Sequence, residues 1–239
     1  MSILLKNGKL SNHSYVDILI SGQFISEINP LSQNAERKLD LDGKYILPGV
    51  IDPHVHMRDM DQSYKEDWHT GTQSALRGGI TTVMDMPNTQ PPTTNQDRLD
   101  FKRKSAEKSH INFGLNMGYV GDNISELKNT DSFNAIKVFL CESSGGIPVE
   151  NQENLTSIFE LAQELKIPLI FHSESGTCIE THAKMYEPTI QNHHRIRNRE
   201  CAVKSTEMVL NMAEEYSCTV YFAHVSTAEE IDLIKKAKE

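Results

Sequence analysis

The sequence predicts an α/β protein: a TIM-type (β/α) barrel that stops after about six βα units, preceded by a small β-sandwich portion. Three observations predict this fold. From Val50 onward, short apolar strands alternate with amphipathic helices, and parallel strands need such crossover helices. The strands are continuously apolar, as strands covered on both faces should be. Polar side chains end or interrupt several strands, which is typical of a barrel mouth.

Residues 1–49 are predicted to form the N-terminal part of the small β domain. Turn residues such as Asn7-Gly8, Gly22 and Asn29-Pro30 separate three short apolar runs, at residues 3–6, 16–20 and 24–28. Short strands punctuated by such turns favour antiparallel pairing. We therefore expect a small antiparallel unit before the barrel.

Residues 50–239 are predicted to form the αβ barrel. Six strands are expected, at residues 50–56, 81–86, 111–120, 135–140, 168–172 and 218–224. Amphipathic periodicity predicts helices over 151–166 and 200–216, and a third helix begins at Thr227, where Glu230 completes a capping-box pattern. A closed barrel of eight strands needs two more, so we expect a fragment with open edges and low solubility.

Composition excludes several classes of protein. The chain has 239 residues, and 24 Lys+Arg against 33 Asp+Glu give a net charge of −9, which argues against a nucleic-acid partner. No apolar run is long enough to span a membrane, and the N-terminus lacks a signal-type pattern. The four cysteines show no C-x-x-C spacing. We expect reduced thiols in a cytoplasmic protein.

The stretch LPGVIDPHVHMRD places His54 and His56 two residues apart at the end of an apolar run. Side chains at i and i+2 of a strand share one face, and neutral imidazoles are good ligands for zinc. Lys137 lies inside another strand, and His172 and His224 end two more. Each one alone is more often an ordinary rim residue, but five polar groups at one barrel mouth predict a metal centre.

Lys137 fits a metal centre only if its amine is neutral or modified. Burial lowers the pKa of a lysine, and carbon dioxide adds to the neutral amine to form a carbamate. A carbamate offers two anionic oxygens, which could bridge two divalent ions spaced roughly 3.5–4 Å apart.

Several long segments carry a resemblance to a known family. They are GVIDPHVHMRD, YKEDWHTGTQSALRGGITTVMDMPNTQPPT, AIKVFLCESSG, IFHSES and FAHVSTAEE, and they resemble the dihydroorotase family of the amidohydrolase superfamily. The resemblance covers almost the whole chain. It implies a zinc-dependent barrel that interconverts N-carbamoyl-aspartate and dihydroorotate in pyrimidine biosynthesis. The substrate would be a small molecule, and the resemblance is compatible with a homo-oligomer.

The resemblance also implies roles for the five polar residues. His54 and His56 would bind one zinc ion, His172 and His224 would bind a second, and carboxylated Lys137 would bridge the two.

Two further residues would bind substrate by the same resemblance. Arg58 and Asn88 would hold the substrate carboxylate, a task that suits a planar guanidinium. On their own they would be an ordinary surface arginine and a turn-forming asparagine. Their joint presence favours a dihydroorotase over a hydantoinase or an allantoinase.

The chain departs from the family pattern at two places. Met60-Asp61 follow Arg58-Asp59 where the family commonly has Pro-Gly. The expected general acid/base aspartate would lie beyond Glu239, so the catalytic residue is unknown and the chain alone is expected to be inactive. His182, His193 and His194 are expected in a long loop without a metal role.

Two alternatives stay open. One is a hydantoinase-like, dihydropyrimidinase-like or allantoinase-like cyclic amidase. The other is a catalytically inactive dihydroorotase-like protein retained for assembly with another enzyme.

Overall fold

The computed structural model describes residues 1–143, 146–149 and 151–239. The chain divides into two compact units, Met1–Gly49 and Val50–Glu239.

The first unit contains one four-stranded sheet in the order β3-β2-β1-β4. Its strands are β1 (Ser2–Lys9), β2 (Tyr15–Ser21), β3 (Phe24–Ile28) and β4 (Arg37–Asp40). The three predicted strands are confirmed, and both of their pairings are antiparallel. The fourth strand, RKLD, was missed because it holds a single apolar residue, and it pairs with β1 in parallel. A sandwich partner for this sheet stays a prediction.

The second unit is built on parallel strands that lie in sequence order, 5-6-7 and 8-9-10-11. They are β5 (Val50–Val55), β6 (Ile80–Asp85), β7 (Asn112–Leu115), β8 (Met117–Gly118), β9 (Ile136–Phe139), β10 (Leu169–His172) and β11 (Val220–Phe222). All six predicted strands are present. The third is broken at Asn116, because β7 pairs with β6 whereas β8 pairs with β9.

Helices connect these strands. They are α1 (Trp68–Arg77), α2 (Gln96–Ala106), α3 (Ile124–Lys128), α4 (Gln152–Leu165), α5 (Gly176–Ala183), α6 (His193–Ile196), α7 (Arg199–Glu215) and α8 (Ala228–Ala237). The three predicted helices are confirmed, and so is the capping box: Glu230 N–H donates to Thr227 Oγ1 over 3.2 Å, and Thr227 N–H donates to the Glu230 carboxylate over 3.2 Å. No helix in the described ranges combines the length and the apolar character needed to cross a membrane.

The predicted loop after β10 is partly helical. His182 lies in α5, and His193 and His194 lie in α6. The Ser175 hydroxyl, which accepts a hydrogen bond from Cys178 N–H, caps α5 and starts a helix there. The loop prediction is therefore wrong at these three histidines.

The core lies between the central strands and the helices packed on them. Strands β9 and β10 are buried along their whole length, as predicted for strands covered on both faces. Strand β5 is different, because Val50 is 52% exposed and Ile51 is 60% exposed. The expectation of full coverage is wrong for β5, since it is an edge strand within the described part of the chain.

The expectation of four reduced thiols is also wrong. Cys178 and Cys201 form a disulfide, whereas Cys141 and Cys218 are not disulfide-bonded. The two bonded cysteines are 23 residues apart, but the first turns of α5 and α7 bring their Cα atoms within 5.3 Å. A spacing of that kind carries no signal in the sequence.

Candidate metal centre

The structure brings the four predicted histidines together at the carboxyl ends of their strands. His54 lies in β5, and His56 follows directly after that strand. Their ring centroids are 5.2 Å apart, and His54 lies 5.6 Å from His224. His172, the last residue of β10, has its ring centroid 4.7 Å from that of His224. Parallel strands with adjacent ends account for this cluster.

Lys137, in β9, is buried and 1% exposed. Its Nζ has no hydrogen-bond partner among the described residues and lies 4.9 Å from the centroid of the Phe139 ring. Burial lowers the pKa of Lys137 to about 7. A neutral amine in this position is available for reaction with carbon dioxide.

The environment also favours the neutral form of His54, His56 and His224. Burial, followed by the positive charge of Lys137, lowers the pKa of His54 to about 4. Burial lowers the pKa of His56 and of His224 as well. Neutral imidazole is the form that binds a metal, and His56 Nδ1 is buried without a hydrogen-bond partner among the described residues. This donor set fits zinc.

His172 has a second partner that sequence reasoning missed. Its Nε2 lies 2.7 Å from Glu174 Oε2, and its Nδ1 lies 3.2 Å from His224 Nε2. An ionised carboxylate only accepts hydrogen bonds, so the proton belongs on Nε2 and the Nδ1 lone pair faces the cluster. The sequence signal for this contact was the spacing of His172 and Glu174, which lie two residues apart in the segment HSES.

Glu174 is itself held by Arg197. Arg197 Nη2 donates to Glu174 Oε2 over 2.6 Å, and Nε donates to Oε1 over 3.2 Å, a bidentate pair. Arg197 Nη1 also donates to the Glu142 carbonyl over 3.2 Å. Burial alone would raise the Glu174 pKa, but hydrogen bonds from His172 and Arg197 lower it to about 2. Glu174 therefore stays ionised beside His172.

A buried ion pair supports the turn after His56. Asp85 Oδ1 accepts a hydrogen bond from Met57 N–H over 2.8 Å, and Lys102 Nζ lies 2.6 Å from Asp85 Oδ2. Lys102 also donates to the Met86 carbonyl over 2.7 Å. Both charged side chains are at most 1% exposed. A charged residue at the end of the apolar β6 was the only sequence signal for this pair.

The two predicted substrate residues lie near His56. Asn88 is 6% exposed, and its side chain is near enough to His56 to favour a higher pKa of that histidine. After burial, the positive charge of Arg58 is the next largest cause that lowers the His56 pKa. Strand β5 ends at Val55 and Arg58 has φ +55°, so Arg58 lies outside the strand.

A cavity of about 490 Å³ opens beside the second histidine pair. Its lining includes Glu174, Arg197 and His224, together with the exposed His193 and His194. Its volume suits a small molecule.

Comparisons with known proteins identify the family of the chain. Residues 45–237 match the model of the Amidohydrolase family. A dihydroorotase from Methanosphaera stadtmanae is 30% identical over 254 residues, which cover 100% of this chain and 56% of that protein. A dihydroorotase from Halobacterium salinarum is 30% identical, over 96% of this chain and 54% of that protein. The chain thus spans about half the length of these relatives.

A solved structure is similar as well. The L-hydantoinase (dihydropyrimidinase) from Arthrobacter aurescens superimposes with a TM-score of 0.91 at 26% identity, over 99% of this chain and 55% of that chain.

Proposed function

The chain belongs to the amidohydrolase family, and we propose that it is the metal-binding part of a dihydroorotase. Such an enzyme interconverts N-carbamoyl-aspartate and dihydroorotate by closing or opening a cyclic amide. The observation that carries this substrate assignment is the 30% identity to proteins named dihydroorotase along the whole chain. The joint presence of Arg58 and Asn88 beside His56 supports it.

Five residues would hold the metal. His54 and His56 would bind one zinc ion, His172 (through Nδ1) and His224 would bind a second, and Lys137 would bridge both as a carbamate. When bound, zinc polarises the amide carbonyl and makes water a better nucleophile at neutral pH.

Lys137 would acquire the oxygens of a metal ligand by reaction with carbon dioxide. The neutral amine attacks carbon dioxide, an N–C bond forms, and one proton leaves the nitrogen for water. The product is a carbamate with two oxygens and one negative charge. The lowered Lys137 pKa supports this step, because near pH 7 a large share of the amine is neutral.

Arg58 and Asn88 would bind the carboxylate of the substrate. A guanidinium pairs with a carboxylate through two parallel N–H···O bonds, and an amide donates a third. Held in this way, the ring amide would face the metal pair. Neutral cyclic amides, such as dihydrouracil, carry no group for Arg58 to bind.

The test is a substrate profile of the full-length protein that carries this sequence. We expect a kcat/KM for dihydroorotate about 100-fold or more above that for dihydrouracil, because an unfilled carboxylate site leaves buried polar groups without partners. Equal or faster hydrolysis of dihydrouracil or hydantoin would overturn the assignment.

The second candidate is a hydantoinase-like cyclic amidase. It is favoured by the similarity to the L-hydantoinase of Arthrobacter aurescens, at a TM-score of 0.91. The same substrate profile separates the two candidates, since a hydantoinase prefers the uncharged ring.

A further inference from the structure

Cys178, His182 and Cys201 form a cluster of reactive side chains that the proposed metal site does not use. The two cysteines are disulfide-bonded. His182 Nδ1 lies 3.7 Å from Cys178 Sγ and 4.0 Å from Cys201 Sγ. The same Nδ1 lies 2.9 Å from the Cys178 carbonyl oxygen, which can only accept, so Nδ1 carries a proton. An N–H donor therefore lies beside both sulfurs.

We propose that Cys178 and Cys201 are a reversible thiol–disulfide exchange site whose reaction partner is a dithiol. The oxidation state of this site decides how firmly Arg197 is held on Glu174. The inference concerns the chain itself and does not depend on a bound metal.

The surroundings of both sulfurs stabilise the reduced form. Cys178 is the third residue of α5, and Cys201 is the third residue of α7. The caps Ser175 and Asn198 accept hydrogen bonds from the N–H groups of these two cysteines. A thiolate in the first turn of a helix is stabilised by the helix dipole, and the His182 N–H adds a donor. A disulfide whose reduced form is stabilised in this way is readily reduced.

The exchange reaction balances with a dithiol as the reductant. Cys178 is 8% exposed and Cys201 is fully buried, so the incoming thiolate attacks Cys178 Sγ. The disulfide bond breaks, and Cys201 leaves as a thiolate. The second thiol of the reductant then attacks the mixed disulfide and releases Cys178. Two electrons pass to the protein, and the dithiol becomes a cyclic disulfide.

The disulfide lies close in the chain to the Glu174–Arg197 ion pair, because both join the starts of α5 and α7. Glu174 directly precedes the cap of α5, and Arg197 directly precedes the cap of α7. The disulfide joins the first turns of these two helices, while the ion pair joins the residues just before them. A backbone hydrogen bond from Ser175 N–H to the Cys201 carbonyl, 2.9 Å long, is a third connection. Reduction removes the covalent link between Cys178 and Cys201 and leaves the two helix starts held by non-covalent contacts, among them this hydrogen bond and the ion pair.

The experiment compares the oxidised and the reduced chain. The folded chain is treated with dithiothreitol, the reaction is quenched, and the thiols are counted after denaturation. We expect two titratable thiols per chain without the treatment and four after it. Peptide mass mapping should show a Cys178–Cys201 crosslink that returns with oxidised glutathione. Trypsin should cleave after Arg197 about tenfold faster in the reduced chain, because the segment opens more often.

Two variants serve as controls. Trypsin should cleave Cys201→Ser at the rate of the reduced chain, with or without dithiothreitol. Cys218→Ser should keep the full difference between the oxidised and the reduced cleavage rates, because Cys218 is not in the disulfide. Three results would overturn the proposal. The first is a disulfide that dithiothreitol reduces only in denaturant. The second is a rate of cleavage after Arg197 that is the same in the oxidised and the reduced chain. The third is a pair of thiols at Cys178 and Cys201 that retain zinc and resist oxidation, which would identify a metal site instead.

Discussion

The carboxylate of Glu174 lies 2.7 Å from Nε2 of His172. This contact fixes the tautomer of the histidine and leaves Nδ1 for a metal. Arg197 holds the carboxylate from its other side, so a chain of three side chains orients one proposed ligand.

Glu174→Gln should weaken zinc binding by about 10- to 100-fold, because the outer partner of a metal-binding histidine orients it and raises its basicity. Competition with a chromogenic chelator measures the affinity. Glu229→Gln is the matched control, since it removes an exposed carboxylate that pairs with Arg199 near the start of α7. Equal affinities in the Glu174 variant and the wild type would show that Glu174 does not position His172.

Replacement of His54 and His56 together by alanine should remove at least one zinc ion per chain, because that ion loses both of its imidazoles. Elemental analysis after gel filtration measures the zinc content. The double variant His193→Ala/His194→Ala is the control, since it removes two exposed histidines that line the nearby cavity. Unchanged zinc content in the first double variant would refute the assignment.

Lys137 should take up labelled carbon dioxide, and uptake should rise as the pH rises through about 7, because the neutral fraction of the amine increases there. Carbon-13 NMR of the zinc-loaded protein in labelled bicarbonate detects the carbamate. The other buried lysine, Lys102, is paired with Asp85 and should stay unmodified. Lys137→Ala should lose the signal and the activity, with partial recovery of activity from a short carboxylic acid. Full activity without added acid would show that Lys137 is structural only.

Arg58→Met should lower kcat/KM for dihydroorotate by roughly 10- to 100-fold, since a charge-assisted hydrogen bond contributes about 1.5–3 kcal/mol. Hydrolysis of dihydrouracil should change little, because that ring has no carboxylate. Steady-state kinetics on both substrates separate the outcomes. Equal losses on both would assign Arg58 to the fold or to the metal site rather than to the substrate.

Lys102→Met should lower the free energy of unfolding by about 3–5 kcal/mol, because it leaves the buried charge of Asp85 without its partner. Urea denaturation measures the change. Lys128→Met removes an exposed ion pair with Glu164 and should cost about 1 kcal/mol or less. Similar costs for the two variants would mean that the Asp85–Lys102 pair adds little to the fold.

Local pattern was sufficient for much of this protein. Short apolar runs that alternate with amphipathic helices predicted all six strands from Val50 onward. A buried strand is a short continuous apolar run, whereas a helix shows an apolar stripe with a period of 3.6 residues. The same logic placed the histidines at strand ends, since parallel strands must present their carboxyl ends on one side. His54, His56, His172 and His224 lie together for that reason.

Only the tertiary structure decided which distant side chains pair. Glu174 meets Arg197, Asp85 meets Lys102, and Cys178 is bonded to Cys201; the members of each pair are 17 to 23 residues apart. The parallel pairing of β4 with β1 and the exposure of Val50 were likewise decided only by the tertiary structure. Local sequence determines the face on which a side chain lies, whereas its partner depends on which elements the folded chain brings side by side, and that information is distributed over the whole core.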